Sequence, residues 1–118
     1  EDLISKIVQQ DPSLICLAGF MKILSKKFIN KFKDKIINIH PSLLPDYKGL
    51  NTHERAIQAG EKYSGCTVHY VTEELDGGKI IAQERILISP GDTPETLSRK
   101  VLEIEHVIYP KTIETLLS

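Results

Sequence analysis

The sequence has no excess of charge of either sign. Its 15 Lys and Arg residues are matched by 16 Asp and Glu residues over 118 positions, so the electrostatic footprint of a nucleic-acid binder is missing. No apolar run reaches membrane-spanning length, because the apolar residues 14–20 soon meet Lys22. No basic and apolar leader opens the chain, whose first residues are Glu1 and Asp2. Cysteine is scarce. Cys16 and Cys66 each fall in an apolar strand pattern and are not spaced as a metal or redox pair, so two buried thiols in a reducing cytoplasm are expected. The four histidines are scattered without ligand spacing, and no metal is expected. Repeats, low-complexity stretches and linkers are also missing, which leaves residues 1–118 as a single domain with one core.

What is present concentrates at one strand end. Residues 36–49 read I-I-N-I-H-P-S-L-L-P-D-Y-K-G. Ile36, Ile37 and Ile39 make a buried strand, broken by Asn38 and His40 two positions apart. Alternation places Asn38 and His40 on one face and Ile37 and Ile39 on the other. Pro41 and Pro45 then force the chain out of the sheet, and the turn between them is a place for a cis X-Pro bond. A neutral hydrogen-bonding group and an imidazole thus share the carboxyl end of a strand, where open α/β sheets bind ligands. On spacing alone, a polar strand end with an ordinary surface histidine is an equal alternative.

Around this stretch helix and strand patterns alternate. Leu3, Ile4, Ile7 and Val8 recur at helical spacing over residues 2–10, and Asp11-Pro12 stops them. Residues 14–18 are a continuous apolar run, as in a strand covered on both faces. An apolar loop follows over residues 19–24. Ser25 caps a helix with Phe28, Ile29 and Phe32 on one face, and its many lysines read as a solvated face. Helix followed by strand, twice over, argues for parallel wiring in an α/β sheet. Residues 52–59 read as a short helix stopped by Gly60, with His53 exposed in its first turn. Residues 66–72 alternate as a strand with Thr67, His69 and Val71 on one face, and His69 taken alone reads as structural. In residues 73–78 (E-E-L-D-G-G) two glycines follow Asp76, allowing a tight reversal or close approach by a ligand. Residues 79–88 return as an antiparallel strand. Asp92, with Glu95 three residues on, reads as the capped start of a helix carrying Leu97, Val101, Leu102, Ile104 and Ile108. Tyr109-Pro110 is expected to kink or interrupt that helix before a last turn or two.

Three stretches together are more specific than any one of them. N-I-H-P-S-L-L-P-x-Y-x-G-L-N-T-H, G-C-T-V-H-Y-V-T-x-E-L-D-G-G and E-H-x-I-Y-P occur in that order, preceded by L-A-G-F-M-K-I-L. From about Leu14 onward the chain resembles the phosphoribosylglycinamide formyltransferase family of purine synthesis. Methionyl-tRNA formyltransferases and formyltetrahydrofolate hydrolases share the Asn-x-His and the later Asp, but Gly49-Leu50-Asn51-Thr52-His53 looks like the glycinamide enzyme. The resemblance implies an α/β formyltransferase fold: the C-terminal portion of a Rossmann-like, mostly parallel sheet with an antiparallel hairpin and a long C-terminal helix. Nothing here matches the Gly-rich phosphate loop with which that family begins. The expectation is therefore a C-terminal catalytic and folate-binding part, prone to self-associate through an exposed sheet edge.

The implied reaction moves a formyl group from 10-formyltetrahydrofolate, the cosubstrate, to the amine of phosphoribosylglycinamide. Such chemistry needs donors facing the developing oxyanion, and Asn38 with His40 suits that task. It needs a group that moves a proton from the attacking amine to the leaving nitrogen, and Asp76 is the candidate. A carboxylate near His40 would stabilise its imidazolium. His69 is a supporting residue that orients Asp76 or a water. By resemblance, Met21, Lys22, Ile23 and Leu24 bind folate together with the backbone of Val71, Thr72, Glu73, Glu74 and Asp76. Backbone groups suit the pterin edge and apolar side chains its faces. Glu105 looks like a contact to the glycinamide substrate through ribose hydroxyls. The expected partners are these small molecules, with no nucleic acid and no membrane. Two other readings are a formyl hydrolase, with water in place of the amine, and a non-catalytic folate-binding module.

Overall fold

The structure, a computed structural model, describes residues 14–18 and 25–117. Four strands form one sheet in the order β1 (Ile15–Ala18), β2 (Ile36–His40), β3 (Tyr63–Tyr70) and β4 (Ile80–Leu87). Three helices accompany them: α1 (Lys26–Lys31), α2 (Thr52–Gln58) and α3 (Pro94–Leu117). β1 and β2 are parallel, whereas β2–β3 and β3–β4 are antiparallel. The parallel wiring expected for the sheet is thus confined to β1 and β2 among the described strands, and the sheet is mixed. Its cause is the connection after β2. The chain re-enters beside the carboxyl end of β2, pairing His40 with Thr67 and Ile37 with Tyr70, so β3 must run backwards.

β2 is the spine, with all five of its residues buried. Ile37 and Ile39 face a core shared with Cys66, Val68, Leu97 and Val101. Burying each such side chain stabilises the fold by about 1.5–3 kcal/mol. Ile36 leads the other face and packs with Ile15, Phe28, Ile29 and Phe32. Ser25 caps α1 as expected, accepting from the Phe28 N–H, and the Phe28 and Phe32 rings pack tilted to one another, 5.1 Å between centroids. β1 is less covered than its apolar run suggested. Ile15 is buried, but Cys16 on its other face is exposed, because β1 is the edge of the described sheet. Cys66 meets the expectation of a buried thiol, and burial pushes it up to about 12.

Helix α3 departs from the sequence pattern at both ends. Its start lies one residue later than Asp92 implied. Thr93 and Thr96 form the reciprocal cap, each side chain accepting from the other's backbone N–H, because Pro94 occupies the first helical position that suits proline. Asp92 instead accepts from the Ser89 N–H, the Thr96 hydroxyl and the Lys100 ammonium. At the other end Pro110 does not interrupt the helix, which runs unbroken to Leu117. An interior proline costs about 3 kcal/mol or more. Ile104, Ile108, Tyr109, Ile113 and Leu116 pack on the sheet on both sides of it and offset that cost. The Tyr109 hydroxyl further pins the helix to the Leu17 carbonyl of β1. No described helix is long and apolar enough to cross a membrane.

Candidate active site

The polar face of β2 carries the site. Asn38 and His40 are buried there, as are Thr67 and His69 opposite them on β3 and Asp76 on the β3–β4 connection. Strand register explains the placement. His69 is the direct cross-strand partner of Asn38, and Thr67 that of His40. A bulge between Val68 and His69 interrupts the pairing of β3 with β4 just before the chain leaves for Asp76. Bulges commonly re-aim side chains in this way.

Hydrogen-bond partners fix the ring tautomers. His40 Nε2 donates to the Tyr47 carbonyl at 2.9 Å. A carbonyl only accepts, so Nε2 holds a proton and Nδ1 is the atom turned to the site. Nδ1 lies 3.6 Å from Asp76 Oδ2 with no hydrogen-bond partner of its own. His69 has the opposite tautomer. Its Nδ1 donates to the Tyr70 carbonyl at 3.0 Å, leaving Nε2 to accept from Asn38 Nδ2 at 3.4 Å. Burial holds the His69 imidazole below the usual histidine range, against the raising effects of the Tyr70 carbonyl and the Asp76 carboxylate. His69 Nε2 also lies 3.8 Å from Asp76 Oδ1. His69 thus contacts both Asn38 and Asp76.

Asp76 is held by the loop that follows β2. Its Oδ2 accepts from the Gly49 N–H at 2.9 Å. Tyr47, Gly49, Asn51 and Asp76 all have positive φ, a conformation that costs a non-glycine residue about 1–3 kcal/mol. Side chains from the sheet hold the loop in place. The Thr67 hydroxyl donates to the Ser42 carbonyl and accepts from the Leu44 N–H and Gln83 Nε2, which fills its bonding capacity. Gln83 also donates to the Leu44 carbonyl. The Leu44-Pro45 bond is cis, in the turn where one was expected.

Two clefts lie elsewhere on the sheet, one along the segment that leads to Asp76 and one on the Ile39 side of β2. One, of ≈ 370 Å³, is walled by Tyr70, Val71, Thr72, Glu73 and Glu74 on one side and by α1 with Lys33 and Asp34 on the other. The second, of ≈ 330 Å³, lies by the carboxyl ends of the parallel strands, between Ala18 and Ile39 and the α3 residues Glu105, His106 and Tyr109. Burial there holds the Glu105 carboxyl above its ordinary range, with His106 partly opposing it.

A sequence model described as formyl transferase matches residues 1–113. The chain belongs to the formyl transferase family. It is 54% identical over 101 residues to phosphoribosylglycinamide formyltransferase of Haemophilus influenzae, covering 86% of this chain and 48% of that one. It is 50% identical over 105 residues to the human trifunctional purine biosynthetic protein adenosine-3, covering 89% of this chain and 10% of that one. The crystal structure of phosphoribosylglycinamide formyltransferase from Bacillus halodurans superposes with a TM-score of 0.92 at 41% identity, covering 99% of this chain and 60% of that one. The chain therefore spans about half the length of its single-function relatives, and its α/β architecture, with the antiparallel hairpin and long C-terminal helix, is the formyltransferase fold.

Within this formyl transferase, Asn38, His40, Asp76 and His69 converge as the motifs implied. Val71, Thr72, Glu73 and Glu74 line one cleft and Glu105 the other. The Val71 N–H is already bonded to the Ile36 carbonyl, so the backbone donors open to a ligand begin after it. Met21, Lys22, Ile23 and Leu24 lie outside the described residues. His53 is not the exposed residue its helix position suggested. It is half-buried with Nδ1 enclosed, and burial and the neighbouring His40 hold its imidazole below the usual range. The cause is the packing of the loop after β2: the Thr52 hydroxyl donates to the Pro41 carbonyl and draws the first turn of α2 onto that loop. Sequence reasoning missed the Tyr47 carbonyl, the Gly49 N–H, Thr67 and Gln83. The two backbone groups leave no mark in a sequence. Thr67 carried one signal, its place on the same strand face as His69.

Proposed function

We propose that the protein carrying this chain transfers the formyl group of 10-formyltetrahydrofolate to the amine of phosphoribosylglycinamide, in purine synthesis. One observation carries the reading: a buried carboxylate, Asp76, opposes His40 Nδ1 beside Asn38 at the carboxyl end of β2. The amine attacks the formyl carbon, and the carbonyl oxygen gains negative charge. Asn38 and His40 stabilise that oxyanion. His40 can donate only from Nδ1, since Nε2 is bound to Tyr47, so it acts as imidazolium, and Asp76 complements the charge. Asp76 also takes the proton from the attacking amine and returns it to the folate nitrogen as the carbon–nitrogen bond breaks. The proton lost by one nitrogen is the proton gained by the other. A developing charge met by fixed donors in a buried site is usually the largest catalytic term, worth about 2.7–4 kcal/mol per donor.

The folate ring is assigned to the cleft of Val71, Thr72, Glu73 and Glu74, and the sequence motif alone assigns Met21, Lys22, Ile23 and Leu24 to it as well. Glu105 is assigned to the ribose hydroxyls of the amine substrate, and no residue here is assigned to its phosphate. Both cysteines are free, which suits the reducing cytoplasm proposed as its setting. The test is an assay of the full-length protein with 10-formyltetrahydrofolate, with and without phosphoribosylglycinamide. Formyl transfer only when the amine is present is the expected outcome. Formate release without the amine would make the protein a hydrolase, and folate binding without turnover would make it a binding module.

A further inference from the structure

We infer that Arg55 is a positioning residue that holds residues 47–49 as a strap across the two catalytic side chains; the inference rests on the proposed roles of His40 and Asp76. Three consecutive residues do the holding. The Tyr47 carbonyl accepts from His40 Nε2, and the Gly49 N–H donates to Asp76 Oδ2. Between them, the Lys48 carbonyl accepts from Arg55 Nη2. The same guanidinium lies over the Tyr47 ring, 5.5 Å from its centroid. One side chain of α2 therefore grips the tripeptide by a carbonyl and by a ring face, while the flanking backbone groups grip the histidine and the carboxylate.

The strap needs such a hold. Tyr47 has φ 55° and Gly49 has φ 85°, and a bulky residue in that region relaxes unless its surroundings determine it. Relaxation of Tyr47 would remove the hydrogen bond that His40 Nε2 makes to its carbonyl. The imidazolium that donates to the oxyanion would lose its acceptor at Nε2, and the neutral ring could carry its proton on Nδ1, where the Asp76 carboxylate takes it up as a hydrogen bond. A lysine cannot replace Arg55 here, because it lacks the planar fork that stacks on a ring while donating sideways. The Arg55 guanidinium reaches His40 and Asp76 through the strap, by the Lys48 carbonyl and the Tyr47 ring.

The experiment compares the parent full-length protein with Arg55→Ala and Arg55→Lys by steady-state kinetics and by NMR of 15N-labelled histidine rings. In the parent, neutral His40 should carry its proton on Nε2. In Arg55→Ala, His40 should show a mixture of tautomers. kcat should fall about tenfold with both KM values within about twofold, a smaller loss than the roughly hundredfold that a displacement of about 1 Å can cause. Arg55→Lys should move both readouts in the same direction, and it serves if the alanine variant does not fold. A folded variant whose His40 tautomer is unchanged would overturn the inference, whatever its rate, as would a kcat within about twofold of the parent. The two failures separate cleanly. A parent without transferase activity counts against the proposed function, while the tautomer readout still decides the strap.

Discussion

The two faces of β2 are equally buried and depend on burial in opposite ways. Ile37 is 0% and Ile39 1% exposed, and His40 is 0% and Asn38 2% exposed. On the isoleucine face, burial is itself the stabilising term, and it is indifferent to direction. On the histidine face, burial is a cost. Each enclosed polar group left unpaired is worth about 1–3 kcal/mol of destabilisation. The fold meets this cost with directed bonds, from His40 to the Tyr47 carbonyl and from the Asn38 amide to His69, with the Gly49 N–H holding the Asp76 carboxylate alongside. The apolar face should therefore tolerate changes of shape that keep volume. The polar face should tolerate almost no exchange of donor for acceptor, even at constant volume.

The sharpest way to break that contrast is Asp76→Asn in the full-length protein. The substitution keeps size and removes the charge and one acceptor. Turnover should fall about a thousandfold, within the range for a lost general acid–base, while folate affinity stays within about threefold. Steady-state kinetics and a folate titration check both parts. Near-normal turnover would remove Asp76 from proton transfer.

The reverse experiment lies on the other face. Leu97 is fully buried against Ile37, Ile39 and Val68. Leu97→Ala should destabilise the protein by about 3 kcal/mol, from lost transfer energy and the cavity left behind. Turnover per folded molecule should not change. Urea unfolding measures the first part and an assay at low temperature the second. If the rate fell in step with stability, the two faces would be mechanically coupled.

This contrast also sets what could be read from the sequence. Alternation placed Asn38 and His40 on one face because a strand has a fixed period, and the apolar faces of α1 and α3 followed from helical spacing. The motifs brought in Asp76, His69 and Glu105. Illegible were the parts that depend on backbone atoms or on competition between neighbours. The Tyr47 carbonyl and Gly49 N–H have no side-chain signature. The cap of α3 moved from Asp92 to Thr93 because Pro94 fixed the first helical residue and Lys100 offered Asp92 a better partner. His53 was misjudged because the packing of a loop onto α2 is a tertiary fact. The proline in α3 was tolerated for the same reason.

A smaller effect should separate binding from stability at the second cleft. Glu105 is a carboxyl held above its ordinary range by burial. The folded state thus binds its proton more tightly than the unfolded state does. Stability falls as pH rises from the unfolded value of 4.5 through the folded one. Glu105→Gln removes that penalty and should raise Tm slightly at neutral pH. It should also weaken the amine substrate about tenfold, the loss expected for a hydrogen bond to a charged group. Thermal melts and the KM for phosphoribosylglycinamide test the pair. A lowered Tm with unchanged KM would make Glu105 structural.

The smallest effect belongs to Asp92, where a polar cluster serves stability alone. Its carboxylate sits 2.6 Å from Lys100 Nζ and also accepts from Ser89 and Thr96. Lys100 first, then those two donors, hold it at about 2, against an ordinary 3.8. Here the folded pKa is the depressed one. The contribution is complete above the unfolded value and is lost as pH falls through the folded one. Asp92→Asn should lower Tm at neutral pH, and the gap from the parent should close between about pH 4 and pH 2. Lys100 is 34% exposed, so added salt should narrow the gap as well, by screening. A gap that ignored both pH and salt would mean that Asp92 acts through its loop hydrogen bonds and not through its charge. The start of α3 would then resemble the histidine face of β2, where direction matters more than charge.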